Sequence, residues 1–488
     1  MQKDDLFQTR LKKLKELQKR INPYPSVVEK THTNYEAKDN FKKLKDRNIT
    51  LAGRLIRLRL MGKACFGNLQ DESGDIQVYF KYDNLGKENF IFLKEYIDLG
   101  DFLEVSGRLF KTHTGEITLL VEKYRLLVKA LRPLPEKWHG LKDVELRHRK
   151  RYLDLLANPA VKKTFTTRSK IISTLRKILD EEGFIEVETP ILQPLPGGAA
   201  AKPFVTHHEA LDQDFYLRIA PELYLKKLLI GGLEKIYEIG KAFRNEGVDR
   251  EHNPEFTIME LYYAYYDFQK LMDFIEDLLI KLLVKINKEA QIEYQGKKID
   301  LKKPFKRITY QAVVKKFSGI DIFKYKDVDS LRRKVQELKI KNIDIPGTPT
   351  WPKLVDEIFK ETVRANLIQP TFVINHPTPL SPLAKKDFHR PEVVERFQLY
   401  IGGLELVNGF SELNDPVDQR QRFEEQAELR KTGDEEAMVK DLEFVEALEY
   451  GMPPTAGLGV GIDRLIMLLT NQSSIREIIC FPQLRSKE

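Results

Sequence analysis

Cysteine is nearly missing from this chain. Its 488 residues hold only Cys65 and Cys480, far apart in sequence. They offer no CxxC metal pair and no disulfide framework, so the expectation is a reducing, cytosolic compartment. Long apolar runs are missing as well: no stretch reaches the ~18 consecutive apolar residues of a membrane-spanning helix. The start, MQKDDLFQTRLKKLK, is charged where a secretory leader would be apolar. There are no internal repeats or low-complexity tracts. The phosphate-cradling pattern GxxxxGK[ST] is also absent, which excludes a P-loop nucleotide enzyme. What remains is 42% hydrophobic and 32% charged, the make-up of a globular chain with a substantial core. The length suggests about three domains, or a large one with an appendage.

Positive charge is unevenly placed. Residues 1–150 hold 31 Lys and Arg against 21 Asp and Glu, a surplus of ten. The whole chain is +8, so the other 338 residues carry −2. A basic N-terminal third on a nearly neutral body suits a polyanion-binding module joined to something else. Within that third, Leu6, Phe7, Leu11, Leu14 and Leu17 repeat at helical steps over 3–20, and Asn22-Pro23 stops the helix. The period changes over 49–128. Short apolar runs such as Ile76-Val78-Phe80 and Ile117-Leu119-Val121 alternate with Gly53, Ser73-Gly74, Gly100-Asp101 and Thr114-Gly115. That spacing predicts a small β-barrel of about the size of an oligonucleotide-binding (OB) fold.

From about 160 onward helices and strands mix irregularly. The periodicity predicts helices over 160–182, 267–287 and 420–449, and strands over 184–188, 215–220, 236–243, 256–262 and 398–410. Irregular interleaving indicates an α+β fold with an antiparallel sheet flanked by helices. Three features carry chemistry. FRNEG (243–247) ends a strand with Arg244, whose planar fork suits a carboxylate or phosphate, and Phe256 lies just beyond the loop. GLGVGIDR (457–464) reads as a glycine-rich turn opening a helix that carries Arg464. Ile258, Glu260 and Tyr262 alternate onto one strand face, and Glu405, Asn408 and Glu412 follow on a later strand. Acids facing a cavity need cations, either a substrate or a metal.

Taken in order, the helix and strand ending at Pro190, the strand-loop-strand with Arg244 and the segment with Arg464 resemble motifs 1, 2 and 3 of the class II aminoacyl-tRNA synthetases. The barrel resembles the anticodon-binding domain of their lysine, aspartate and asparagine subgroup. The wording is closest to the bacterial lysyl members: PGGAAAKPF (196–204), YLRIAPELYLK (216–226), HNPEFTIMELYYAY (252–265), VNGFSELND (407–415) and PPTAGLGVGIDRL (453–465).

The resemblance implies a helical extension (1–48), an OB-fold anticodon-binding domain (49–135), a linker (136–159) and a catalytic domain (160–488). It implies a cytoplasmic homodimer, joined through about 160–190. The chain would activate L-lysine with ATP, release pyrophosphate and pass lysine to the 3′-terminal adenosine of tRNA(Lys). By the same resemblance Arg244 bridges the lysine carboxylate and the α-phosphate, and Arg464 meets the γ-phosphate. Glu246, His252 and Asn253 grip ATP, and Phe256 lies under the adenine. Gly198 and Glu222 hold the α-amino group, while Glu260, Tyr262, Asn408 and Glu412 surround the ε-ammonium. Arg59, Phe66, Gln77 and Glu116 read the anticodon. Relatives set two glutamates seven apart to hold Mg²⁺ on ATP. Here the second is Glu405 but the first is Gln398, an amide that could offer one neutral oxygen. Three alternatives stay open. One is a paralogue that ligates lysine to a protein, although the barrel counts against it. The others are a catalytically dead RNA-binding relative and an aspartate or asparagine enzyme.

Overall fold

A computed structural model describes residues 2–135, 141–287, 289–340, 342–343, 350–431 and 436–485. The chain divides into two compact units, Met1–Lys142 and Asp143–Glu488.

In the first unit, β1 (Ile49–Met61), β2 (Ala64–Asp71), β3 (Gly74–Lys81), β4 (Phe102–Lys111) and β5 (Ile117–Val128) close a barrel in the order β1-β2-β3-β5-β4. Alternation explains it. Cys65 and Leu69 on β2, and Ile76, Val78 and Phe80 on β3, point into one buried cluster, leaving the residues between them on the outer face. Gly107 lies opposite a bulge on β5, where Glu122 is the extra residue, and any Cβ there would meet the Leu120 carbonyl. The helix Gln2–Leu17 forms where its apolar stripe predicts, and Leu17 joins the barrel cluster. A further helix, Tyr82–Tyr96, follows β3. The 82–96 stretch is not flagged by the sequence patterns above, because Gly86 breaks it with a left-handed φ of 79°.

The second unit is built on an eight-stranded sheet. In chain order its members are β6 (Ile185–Glu186), β10 (Lys235–Phe243), β11 (Glu255–Ala264), β14 (Lys306–Thr309), β15 (Thr371–Ile374), β16 (Arg396–Ile401), β17 (Leu404–Ser411) and β18 (Thr455–Gly461). The spatial order is β14-β15-β16-β17-β18-β11-β10-β6. Only the edge pairs β14–β15 and β6–β10 are parallel. Between β6 and β10 lies a three-stranded sheet of β7 (Leu192–Gln193), β8 (Val205–His208) and β9 (Gln213–Leu217), and β12 (Gln291–Tyr294) pairs with β13 (Lys297–Asp300). One face of the main sheet carries the core. Met259, Leu261, Leu458 and Val460 pack there against Ile171, Leu175, Ile178 and Leu179 of the helix Pro159–Glu181 and against the helix Phe268–Asn287. The opposite face is left for the site.

Several stretches differ from their sequence reading. The strand expected over 398–410 is a hairpin, β16 and β17, turned at Gly402-Gly403 with φ of 66° and 83°. The helix expected over 420–449 is two, Pro416–Lys431 and Leu442–Glu449, and residues 432–435 between them lie outside the described set. The glycine-rich 457–461 is strand, not turn. β11 and β17 pair with β18 on either side, and this pairing overrides the poor strand propensity of glycine. In the stretch read as a linker, 136–140 lie outside the described residues, while 144–157 form two short helices. These are tied into the second unit. Arg151, fully buried, pairs with Asp154 at 2.6 Å and donates to the carbonyls of Arg476 and Cys480.

Candidate active site

Across the open face of the sheet, register decides which side chains meet. Gln398, Asn408, Gly459, Glu260 and Glu238 form one transverse row, and Phe410, Gly457 and Tyr262 form the next. Because strand residues alternate, Gly457, Gly459 and Gly461 all turn to this face while Leu458 and Val460 enter the core. The middle of the floor is therefore bare backbone. A Cβ at Gly457 would collide with the Glu412 carboxylate and the Tyr262 ring.

Above this floor is a cavity of about 360 Å³. It brings together all thirteen residues that the sequence reading places in this unit: Gly198, Glu222, Arg244, Glu246, His252, Asn253, Phe256, Glu260, Tyr262, Glu405, Asn408, Glu412 and Arg464. Glu405 and Asn408 are three apart, a spacing that simple alternation would split between faces. The register slips at Leu399/Tyr400, leaving Leu406 as the extra residue, and both side chains reach the cavity.

One end of the cavity is basic. Arg244 has a solvent-sealed Nε without a hydrogen-bond partner, and its guanidinium lies 5.1 Å from the centre of the Phe256 ring. Burial pulls its pKa below the usual arginine value against the pull of Glu246. Arg464 donates to the Glu405 carbonyl at 3.0 Å and to His252 Nε2 at 3.1 Å. Arginine can only donate, so His252 Nε2 is the acceptor and the proton sits on Nδ1, 2.8 Å from Asp249. The segment that carries Arg464 is anchored next door. Asp463 accepts from Arg168 at 2.5 Å and from the Thr257 amide at 2.7 Å.

The other end is acidic and closed. Glu260 is 5% exposed and accepts from the Tyr262 hydroxyl at 3.0 Å. Burial first, then Glu222, pushes its pKa well above the usual carboxylate range. Glu412 is 1% exposed, and burial raises its pKa to about 8 although Lys226 opposes the shift. Lys226 Nζ stands 2.5 Å from Glu412 Oε2, an ion-pair distance, yet neither Glu412 oxygen receives a well-directed hydrogen bond. Buried acids with unfilled acceptors are built for a cation that comes from outside. Asn408 spends one lone pair of Oδ1 on Arg396 Nε at 2.8 Å and keeps the other. Gly198, at φ 87°, sits so close that a Cβ would press on Ala220 and Glu222.

Gln398 is not among the residues lining the cavity. Its Oε1 accepts from His376 Nε2 at 2.9 Å and from the Tyr400 hydroxyl at 3.1 Å, so both lone pairs are engaged. The expectation that this amide could offer oxygen to a metal is corrected. Among the described residues no group of three or more His, Cys, Asp and Glu could hold a metal ion. Lys226, Arg396, Asp463 and His376 are not in the sequence-derived set. Only Lys226 had a local signal, its four-residue spacing from Glu222 on one helix face.

In the barrel, Arg59, Phe66 and Tyr79 lie opposite one another across β1, β2 and β3, on the outer face. Phe66 and Tyr79 stack at 4.4 Å, and Phe110 lies 6.1 Å from Tyr79. Gln77 shares that face and accepts from Thr118 at 2.7 Å. Glu116 lies 3.6 Å from Lys38 just ahead of β5. Tyr79 and Phe110 extend the aromatic surface beyond Phe66.

Comparison with known proteins accounts for both units. Residues 143–485 match the family of tRNA synthetases class II (D, K and N). The chain belongs to the class II tRNA synthetases. Residues 49–127 match the OB-fold nucleic acid binding domain. Like this synthetase in sequence is the lysine--tRNA ligase of Pelotomaculum thermopropionicum, 50% identical over 99% of this chain and 96% of its own. That of Carboxydothermus hydrogenoformans is 49% identical over 99% of both. That of Aquifex aeolicus is 50% identical over 96% of this chain and 80% of its own. Among the described residues of the synthetase, no helix is long and apolar enough to cross a membrane.

Proposed function

We propose that this synthetase is a lysine--tRNA ligase working in the cytoplasm as a homodimer. The observation that carries the reading is a single cavity with an arginine pair at one end and three buried acids, Glu222, Glu260 and Glu412, at the other. Lysine has the matching polarity, a carboxylate and two ammonium groups. Aspartate or asparagine would leave Glu260 and Glu412 without their ammonium partner, and unpaired buried groups discriminate strongly. Similarity to full-length lysine--tRNA ligases supports the same choice.

In this reading the lysine carboxylate attacks the α-phosphorus of ATP. The new O–P bond forms lysyl-adenylate as the bond to the bridging oxygen breaks and pyrophosphate leaves. No general base is needed, because the carboxylate is ionised at pH 7. Catalysis rests on positioning and charge. Arg244 spans the carboxylate and the α-phosphate, its free Nε among the available donors. Arg464, oriented by His252 and the Glu405 carbonyl, meets the γ-phosphate. Glu246, His252 and Asn253 hold ATP, with Phe256 against the adenine. Gly198 and Glu222 receive the α-amino group, and Glu260, Tyr262, Asn408 and Glu412 receive the ε-ammonium. A hydroxyl of the tRNA 3′-terminal adenosine then attacks the acyl carbon, and AMP leaves. Mg²⁺, which the family relationship implies, would be held by Glu405 together with the ATP phosphates, and would supply positive charge there. Arg59, Phe66, Gln77 and Glu116 read the tRNA(Lys) anticodon from the barrel. Ile185, Ile191, Leu192 and Leu195, which follow the helix Pro159–Glu181 in sequence, are exposed and support pairing of two copies through this stretch.

The test is ATP–pyrophosphate exchange without tRNA. Exchange with lysine is expected; exchange with aspartate or asparagine and not lysine would overturn the assignment.

A further inference from the structure

Behind two of the cavity acids stands a cation that lines no part of the cavity. Lys226 is 0% exposed. Its Nζ donates to Glu222 Oε1 at 2.6 Å and lies 2.5 Å from Glu412 Oε2. The rings of Phe410 and Phe444, 5.3 and 5.9 Å from Nζ, border it on other sides. A buried ammonium without partners gives up its proton. Here burial pulls the pKa of Lys226 down, but Glu222 and Glu412 together more than reverse this and hold it charged. When lysine is bound and the three acids of this end, Glu222, Glu260 and Glu412, are ionised, Lys226 cancels one of their charges. Two negative charges remain, the number that balances the two ammonium groups of lysine, while its carboxylate faces Arg244.

We propose that Lys226 is a positioning residue for amino-acid selection, a resident ammonium that ties the acid assigned to the α-amino group to an acid assigned to the ε-ammonium and leaves the pocket matched to a dication. This rests on the lysine reading given above. The contact joins two elements distant in sequence, the helix Glu222–Ile230 and the segment following β17, so it fixes the relation between the two ammonium subsites. It also governs protonation. Glu412 is faced by Lys226 and Glu222 from that helix and by Tyr262 from β11, whose hydroxyl bonds Glu260. Without the ammonium, three acids share one dry site and hold their protons more tightly than in the wild type. Lysine then has to displace protons at a larger cost, whereas an analogue with a neutral side chain, such as norleucine, does not.

The experiment compares the full-length wild type with Lys226→Met and Lys226→Gln in lysine-dependent pyrophosphate exchange. Both variants remove the charge, and Gln keeps a hydrogen-bond donor. At pH 7 the KM for lysine should rise about tenfold or more while the KM for ATP moves less than about twofold, since only the acids' charge and orientation change. The acid limb of kcat/KM for lysine should shift upward by about one pH unit, and the preference for lysine over norleucine should shrink. An unchanged KM for lysine would overturn the proposal. So would a parallel rise in both KM values with a lowered melting temperature, or failure of both variants to fold. Each of these would make Lys226 part of the frame alone. If the wild type itself shows no exchange with lysine, the lysine reading falls and this proposal with it, an outcome told apart because no variant is needed to see it.

Discussion

Lysine binding should release protons, and its affinity should climb with pH. The perturbation is pH alone, applied to the wild type without ATP or tRNA. Glu412 is held near pH 8 chiefly by burial, with Lys226 lowering and Glu222 raising its pKa. An incoming ammonium needs the carboxylate, so binding favours the ionised form. For one group at about 8, the apparent Kd is raised about a hundredfold at pH 6, elevenfold at pH 7 and twofold at pH 8. Affinity should thus improve about ninefold from pH 6 to 7, about fivefold from 7 to 8 and less than about twofold from 8 to 9. Glu260, also raised, acts in the same direction. The free protein responds oppositely. A carboxyl whose folded pKa is raised contributes stability while it is protonated. That contribution is lost as pH rises from the ordinary carboxylate range through about 8. Calorimetry in two buffers of different ionisation enthalpy measures both the affinity and the protons, about 0.9 per lysine at pH 7 from Glu412 alone. An affinity flat from pH 6 to 8, with the same heat in both buffers, would refute the account of the acidic end.

Three further outcomes follow from the geometry. Arg244→Ala should lower kcat and kcat/KM by on the order of 10²-fold or more, since the guanidinium meets charge that grows during the reaction; an unchanged kcat in steady-state exchange would remove it from the chemistry. Phe66→Ala should weaken aminoacylation of tRNA(Lys) by about 1–3 kcal/mol while exchange is preserved, and equal damage to both assays would make the ring a packing element against Tyr79. For Gln398→Glu, titrating Mg²⁺ at fixed ATP should give curves superimposable on wild type, because His376 and Tyr400 hold that side chain; a lower half-maximal Mg²⁺ would show that position 398 reaches the metal after all.

What the sequence could show was whatever repeats locally. The barrel followed from period-two runs cut by turns, and the helix Pro159–Glu181 from its apolar stripe, because both signals need only near neighbours in sequence. The face shared by Ile258, Glu260 and Tyr262 is equally local. β18 was not legible as strand: its last five residues, three of them glycine, look like a turn until β11 and β17 are known to flank them. Nor was the slip at Leu406, which carries Glu405 to the face of Asn408, since a bulge leaves no residue signature there. Lys226 shows the same limit. Its four-residue step from Glu222 is readable, but Glu412 lies 186 positions on, and only the fold joins them. The resemblance reached most of the site by matching residues to family motifs, and it missed the residues standing behind them.

The bare floor of the cavity has a consequence for changing what the enzyme accepts. Where Gly457, Gly459 and Gly461 face inward there is no side chain to exchange, and adding even a methyl group at Gly457 fills space that Glu412 and Tyr262 already use. Mutation therefore has a restricted vocabulary at this site. A library aimed at longer or differently charged amino acids would find its productive variants on the walls, at 222, 260, 262, 408 and 412, and would collect losses at 457, whereas a methyl at 459 or 461 meets only ordinary contacts. At Gly457 the backbone itself bounds the cavity, so any new occupant has to be fitted to that point by changing the walls.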